Sequence, residues 1–164
     1  MRYLRRCIVA MLMLASPAIA QGNGPVVVEL YTSQGCSSCP PADAYLHELA
    51  GQDGIVALAL HVDYWDYIGW KDIFGDPAHT ARQKSYAKAQ GHRMVYTPQM
   101  MVDGTYGVAG TKPEAVAAAI EKHRTKPNPV MLDLRREGGT LHIAATPRGT
   151  PLGRMDVTLL RYQP

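Results

Sequence analysis

Cysteine is scarce in this chain, neither sign of charge predominates, and no long apolar run interrupts its body. Of 164 residues only Cys7, Cys36 and Cys39 are cysteines, which excludes the disulfide framework of a small secreted scaffold. Formal charge is +3, but Arg2, Arg5 and Arg6 lie in an acid-free leader. Without that leader the chain carries 14 basic and 14 acidic side chains, which argues against a nucleic-acid or anionic-membrane binder. Beyond the leader no apolar stretch approaches the ~20 residues that span a bilayer, so no stable membrane insertion is expected. At 46% hydrophobic and 19% charged, the composition fits a globular domain with a small appendage.

The leader itself reads as a secretory signal. Basic residues precede an apolar run from Cys7 to Ala15, Ser16-Pro17 breaks it, and Ala18-Ile19-Ala20 offers small residues for cleavage near Ala20. The Arg5-Arg6 pair lacks the rest of a twin-arginine pattern, so the ordinary route to the periplasm or the exterior is expected. Cys7 would leave with the signal. An exported chain then retains one close pair, Cys36 and Cys39, which needs its own explanation.

Hydrophobic patterning places that pair. Pro25 to Tyr31 is a short β-branched run, a buried strand; Thr32-Ser33-Gln34-Gly35 turns the chain into Cys36. Ala42, Tyr45, Leu46 and Leu49 recur at helical spacing before Gly51, and Pro40-Pro41 fit only a first turn. Ile55 to Val62 is a second strand, apolar enough to be covered on both faces, so strand–helix–strand makes a parallel crossover. An aromatic-rich loop runs from Asp63 to Gly75. Asp76-Pro77 caps a helix through Gln90, whose Arg82, Lys84 and Lys88 read as its solvated face. Gln99 to Val102 is a strand turned by Asp103-Gly104 into a return strand at Tyr106-Gly107-Val108. Thr111 and Glu114 form a capping box for a helix to about Arg124.

After Pro127-Asn128-Pro129 the pattern changes. Val130, Leu132 and Leu134 alternate with Met131, Asp133 and Arg135, Gly138-Gly139 turns, Leu141 and Ile143 continue, and a third strand is predicted from about Asp156 to Tyr162. Three strands barely bury a face alone, so residues 130–164 should dock on the first domain, or the sequence is a fragment.

The pair carries chemistry at a helix start. The helix terminus favours a thiolate at Cys36, and Cys39, one turn along, can attack a mixed disulfide there and release product. Cys36 is the candidate nucleophile and Cys39 the resolving thiol, with both sulfurs expected to be exposed at the mouth of the helix. A structural staple is disfavoured because the loop encloses only Ser37 and Ser38. A zinc or copper site through Cys36, Cys39 and His61, or with His79 or His92, is the other alternative, though no second close Cys or His pair supports it. No motif asks for an organic cofactor.

These elements in order resemble a thioredoxin-like fold over residues 25–125, a mixed sheet flanked by helices, followed by an antiparallel β appendage. More narrowly, Cys36-Ser37-Ser38-Cys39-Pro40-Pro41-Ala42-Asp43, His61-Val62-Asp63-Tyr64-Trp65-Asp66 and Tyr96-Thr97-Pro98-Gln99-Met100 resemble exported bacterial proteins of the domain-of-unknown-function 1223 family. The thioredoxin resemblance implies a cis-proline at Pro98, with Thr97 before it pairing with substrate; the alternative is a trans proline opening an edge strand. It also implies that Glu29 relays a proton to Cys39 as the buried strand acid, although the turn before Cys36 is one residue longer here. A salt-bridged or edge-exposed glutamate is the alternative.

Tyr64 and Trp65 leave the carboxyl end of a parallel strand, where open α/β sheets bind ligands, and are expected to line a substrate groove or else to cover the core. His61 reads as a hydrogen-bonded core histidine and Met100-Met101 as strand packing. Ser37-Ser38 supplies no cation, so the Cys36 pKa should fall only moderately. The expected function is an exported thiol–disulfide oxidoreductase leaning to reductase or isomerase, with protein thiols or disulfides and an external redox partner. A non-catalytic binding module and a peroxidase are the alternatives.

Overall fold

The computed structural model describes residues 24–149, 153 and 156–162. The leader reading at residues 1–20 lies outside the described residues. In chain order the elements are β1 (Val26–Thr32), α1 (Pro40–Ala50), β2 (Ile55–His61), α2 (Pro77–Ala89), β3 (Gln99–Val102), β4 (Tyr106–Ala109), α3 (Pro113–Arg124), β5 (Val130–Glu137) and β6 (Thr140–Pro147).

Four strands form one mixed sheet in the order β2-β1-β3-β4. β1 pairs parallel with β2, joined by α1, and antiparallel with β3; β3 and β4 make a hairpin. Both Asp103 and Gly104 adopt positive φ at its tip, where glycine is cheap and aspartate is among the residues that tolerate the left-handed region. Asp103 is tied further, its Oδ1 accepting from the Val27 N–H at 2.8 Å and its Oδ2 lying 3.0 Å from His123 Nδ1.

The period-two alternation of β1 divides the core. Val26, Val28 and Leu30 face Ala42, Leu46 and Leu49 of α1 and Val116, Ala119 and Ile120 of α3. Tyr31 joins Met101 and Val62 in a second cluster, with Tyr86 of α2 packed against it. The helices therefore flank the sheet, α1 and α3 on one face and α2 on the other.

Three local expectations are corrected. β2 is an edge strand rather than one covered on both faces, and Ala59 within it is exposed. The helix α3 starts one residue late for the Thr111–Glu114 box: Lys112 is its N-cap and no side chain caps it. Asp156 to Tyr162 is irregular, so the appendage is a two-stranded hairpin and not a three-stranded sheet. Almost every residue of β5 and β6 is exposed, so the hairpin offers a third strand little burial to gain.

Leu30 is fully buried at the centre of the larger cluster. Leu30→Ala should cost about 2–5 kcal/mol in urea unfolding of the oxidised protein. A conserved denaturant slope would show that the loss is local packing and not altered compactness of the unfolded state.

Candidate active site

The chain leaves β1 at Thr32 and turns tightly, with Cys36 N–H donating to the Ser33 carbonyl at 3.0 Å and Cys39 N–H to that of Cys36 at 3.1 Å. Cys39 is the N-cap of α1; its carbonyl accepts from the N–H groups of Ala42 and Asp43. Pro40 and Pro41 fill the first helical positions and bring no N–H, so this terminus has fewer free donors than most. Cys36 and Cys39 are joined as a disulfide. Ser38 Oγ lies 3.6 Å from Cys36 Sγ, a hydroxyl within reach of that sulfur.

Both sulfurs were expected at the surface, and they are not there. Cys36 is 3% exposed and Cys39 wholly buried. The loop 63–75 packs on the turn just before Cys36. Trp65 and Ile68 press on the residue before Cys36 so closely that a Cβ on Gly35 would sit 3.0 Å from Trp65 Cβ and 3.1 Å from Ile68 Cδ1. Glycine is the residue that leaves room for this contact.

Pro98 is brought to the same place. The Thr97–Pro98 peptide bond is cis. A Cβ on Gly110 would lie 2.9 Å from Ala42 Cβ, in the first turn of α1, and 3.0 Å from Pro98 Cβ. Thr97 Oγ1 accepts from Trp65 Nε1 at 2.8 Å. Cys36, Cys39, Thr97, Pro98 and Trp65 therefore converge.

Tyr64 diverges from them. Its hydroxyl donates to Gln83 Oε1 of α2 at 3.2 Å, and its ring packs with the Tyr31–Val62–Met101 cluster. Burial, partly offset by hydrogen bonds to Gln83 and Thr97, raises its pKa above the usual phenol value. This is the core-covering alternative for Tyr64.

Glu29 also lies elsewhere, and the proton-relay reading is withdrawn. Odd residues of β1 face α2, whereas Cys39 belongs to the helix on the opposite face. The extra residue in the turn shifts the count by one, and on a strand one residue is a change of face. Glu29 Oε1 accepts instead from Arg82 Nε at 2.7 Å, and Arg82 Nη2 donates to Tyr86 Oη at 2.8 Å. Arg82 is thus not part of a solvated helix face as its spacing suggested. Burial and the Glu29 charge push the Tyr86 phenol up to about 12.

His61 is committed to Asp72, with Nδ1 2.7 Å from Oδ2. Among the described residues no three His, Cys, Asp or Glu side chains gather closely enough to hold a metal ion, so the sulfurs and His61 do not form the alternative site. Asp72 was not singled out from sequence, yet it is a hub. Its Oδ2 also accepts from the Gln34 N–H at 2.8 Å, and Oδ1 from the Phe74 N–H at 2.9 Å. Burial opposes its charge, but the donors from Gln34, His61 and Phe74 prevail and hold the carboxyl below its usual range.

Two outcomes test this electrostatic layout. Arg82→Met strands a buried carboxylate and should cost about 3–5 kcal/mol in urea unfolding, with Glu29→Gln in the same chain restoring most of it. Asp72 binds its proton less readily folded than unfolded, so its contribution is complete above about pH 3.9 and fades as pH falls below that value. The stability gap between the wild type and Asp72→Asn should accordingly narrow as pH falls below about 3.9, as read from urea midpoints against pH.

Comparisons with known proteins bear on the family and the fold. No curated protein matches the chain. The X-ray crystal structure of a protein from Agrobacterium tumefaciens is similar, at 37% identity and a TM-score of 0.66, over 76% of this chain and 57% of that one. The chain thus spans little more than half the length of that relative. The family signature for "Protein of unknown function (DUF1223)" matches residues 27–164, from β1 through the appendage, and the chain belongs to that family.

Proposed function

We propose that the protein is an exported thiol–disulfide oxidoreductase of thioredoxin-like type, acting as a reductase or isomerase through Cys36 and Cys39. The single observation that carries this reading is the Cys36–Cys39 disulfide at the start of α1, set beside the Thr97–Pro98 segment. The sheet order β2-β1-β3-β4, with α1 joining the parallel pair, is the arrangement a thioredoxin-like reading requires. Export rests on the Met1–Ala20 sequence, and no helix among the described residues is long and apolar enough to cross a membrane.

In the reductive direction a thiolate at Cys36 attacks a substrate disulfide, and the departing substrate sulfur carries the bonding pair away. Cys39, as thiolate, then attacks Cys36 Sγ in the mixed disulfide and expels the second substrate sulfur. The protein loses two electrons to the substrate, whose two thiolates take protons from water, and a dithiol partner must return those electrons. Ser38 can donate to the Cys36 thiolate, and the α1 dipole favours it; no cation stands between the cysteines. That pairing supports a moderate rather than extreme depression of the Cys36 pKa.

A binding module without turnover is the second reading, and the burial of both sulfurs favours it. Cys39→Ser separates the two. Under the enzymatic reading it should accumulate mixed disulfides with partner proteins through Cys36, visible as reductant-sensitive adducts that vanish in Cys36→Ser/Cys39→Ser. Equilibration of the wild type with glutathione should place its potential well below the ~−120 mV of the most oxidising class. Absence of adducts, together with no turnover of a protein disulfide, would overturn the enzymatic reading.

A further inference from the structure

The loop between β2 and α2 closes on itself at its base. Asp76 N–H donates to the His61 carbonyl at 3.1 Å, and Val62 N–H to that of Thr32 at 2.9 Å, so residues 63–75 leave and return at one point like an Ω-loop. Its inner side is fastened by polar contacts to the two segments that frame the disulfide. Gln34 N–H donates to Asp72, Trp70 Nε1 donates to Gln34 Oε1 at 3.0 Å, and Trp65 Nε1 donates to Thr97. Its outer side is loose: Tyr67, Trp70, Ile73 and Phe74 are between 59% and 81% exposed and add little burial to hold the loop down. Tyr64 and Trp65 anchor the start of the loop on the Tyr31–Val62–Met101 cluster, so the part that opens most cheaply is the mostly exposed stretch from Tyr67 to Phe74, held mainly by hydrogen bonds.

From these contacts we propose that residues 63–75 are a hinged cover over the Cys36–Cys39 disulfide, that it must lift before Cys36 can exchange, and that Asp72 is its latch. The inference rests on the thiol–disulfide reading for its purpose, but not for its physics. An incoming thiolate must reach Cys36 Sγ, and with Cys36 only 3% exposed the closed form restricts its approach. Asp72 is suited to the latch because it is 1% exposed and binds both sides of the joint, the Gln34 N–H on the disulfide turn and the Phe74 N–H within the loop. Trp65 supplies a second fastening at Thr97, and its packing on Gly35 closes the gap beside Cys36.

Reduction of the oxidised full-length chain by dithiothreitol, followed by release of free thiols, tests the cover directly. One dithiothreitol thiolate attacks Cys36 Sγ, and Cys39 leaves with the bonding pair and takes a proton from water. The second dithiothreitol thiolate then closes the cyclic disulfide and frees Cys36, so the reagent surrenders two electrons to the protein. Asp72→Asn and Trp65→Phe should each accelerate this reaction by about tenfold or more, since each removes a hydrogen bond that holds the closed form. Trp65→Phe keeps the Cβ that packs on Gly35 and leaves the Asp72 network whole, so it serves if Asp72→Asn fails to fold. Leu49→Ala, far from the loop and destabilising overall, controls for global unfolding. Wild-type rates in both latch variants would overturn the cover, as would an equal acceleration in Leu49→Ala. Faster reduction without any turnover of a protein disulfide would uphold the cover and count against the enzymatic reading. Normal turnover with unaltered reduction rates would do the reverse.

Discussion

One constraint organises this molecule: β1 is an interior strand, paired in register on both sides and packed on both faces. From Val28 to Tyr31 it is paired with β2 on one side and β3 on the other, so the strand cannot slip without breaking two ladders and turning Leu30 out of the core. That rigidity sets where the chain emerges at Thr32, and thereby where Cys36 and Cys39 begin α1. The same fixed strand holds the hairpin tip, because the Asp103 carboxylate accepts from the Val27 N–H while its other oxygen meets His123 of α3. The site is a consequence of this framework rather than an addition to it.

Parity along β1 also explains why a resemblance at the level of residue type misplaced Glu29. An acid within a buried strand ahead of a cysteine pair is the pattern expected for a proton relay. A strand, however, tests position by alternation, and a turn longer by one residue delivers the carboxylate to α2. There it meets Arg82, and the two charges, with Tyr86 at their side, make a partly buried polar cluster on the face away from the disulfide. Such a pair contributes little net stability once desolvation is counted, but either charge left alone is costly. Thr32, on the α1 face, is the buried polar residue of β1 that shares a side with Cys39's helix.

What could be read from the sequence was what is local. The Cys36–Cys39 spacing, the prolines of α1, the Asp76-Pro77 cap, the Asp103-Gly104 turn and the apolar runs of β1 and β3 each act within a few residues, and the structure has them where the pattern put them. Contacts between distant segments left no such trace. Nothing in Lys71-Asp72-Ile73 marks Asp72 as the residue that binds Gln34, 38 positions earlier. Arg82 follows helical spacing like Lys84 and Lys88, and only the third dimension shows that Glu29 awaits it. The run at residues 156–162 failed for the opposite reason: its alternation suits a strand, but strand formation requires a surface to bury against, and the β5–β6 hairpin is exposed on nearly all its length.

The burial of the disulfide reshapes what the sequence pattern means. A reactive pair at a helix mouth is usually argued from the thiolate it can form, and here the two prolines leave that terminus short of donors. Reactivity is then governed less by how acidic Cys36 is than by how often a thiolate can reach it. If the closed form excludes attack, the observed exchange rate is the intrinsic rate multiplied by the open fraction, so each tenfold rarefaction of the open form slows exchange tenfold whatever the thiol pKa. Protection by a cover has a chemical logic under the proposed export, since an accessible reduced pair would be consumed by any passing disulfide, whereas a covered one exchanges only when the loop departs. Under the proposed cover that selectivity would rest on the close packing of Trp65 and Ile68 on Gly35, beside the Asp72 carboxylate that ties the loop to the Gln34 N–H.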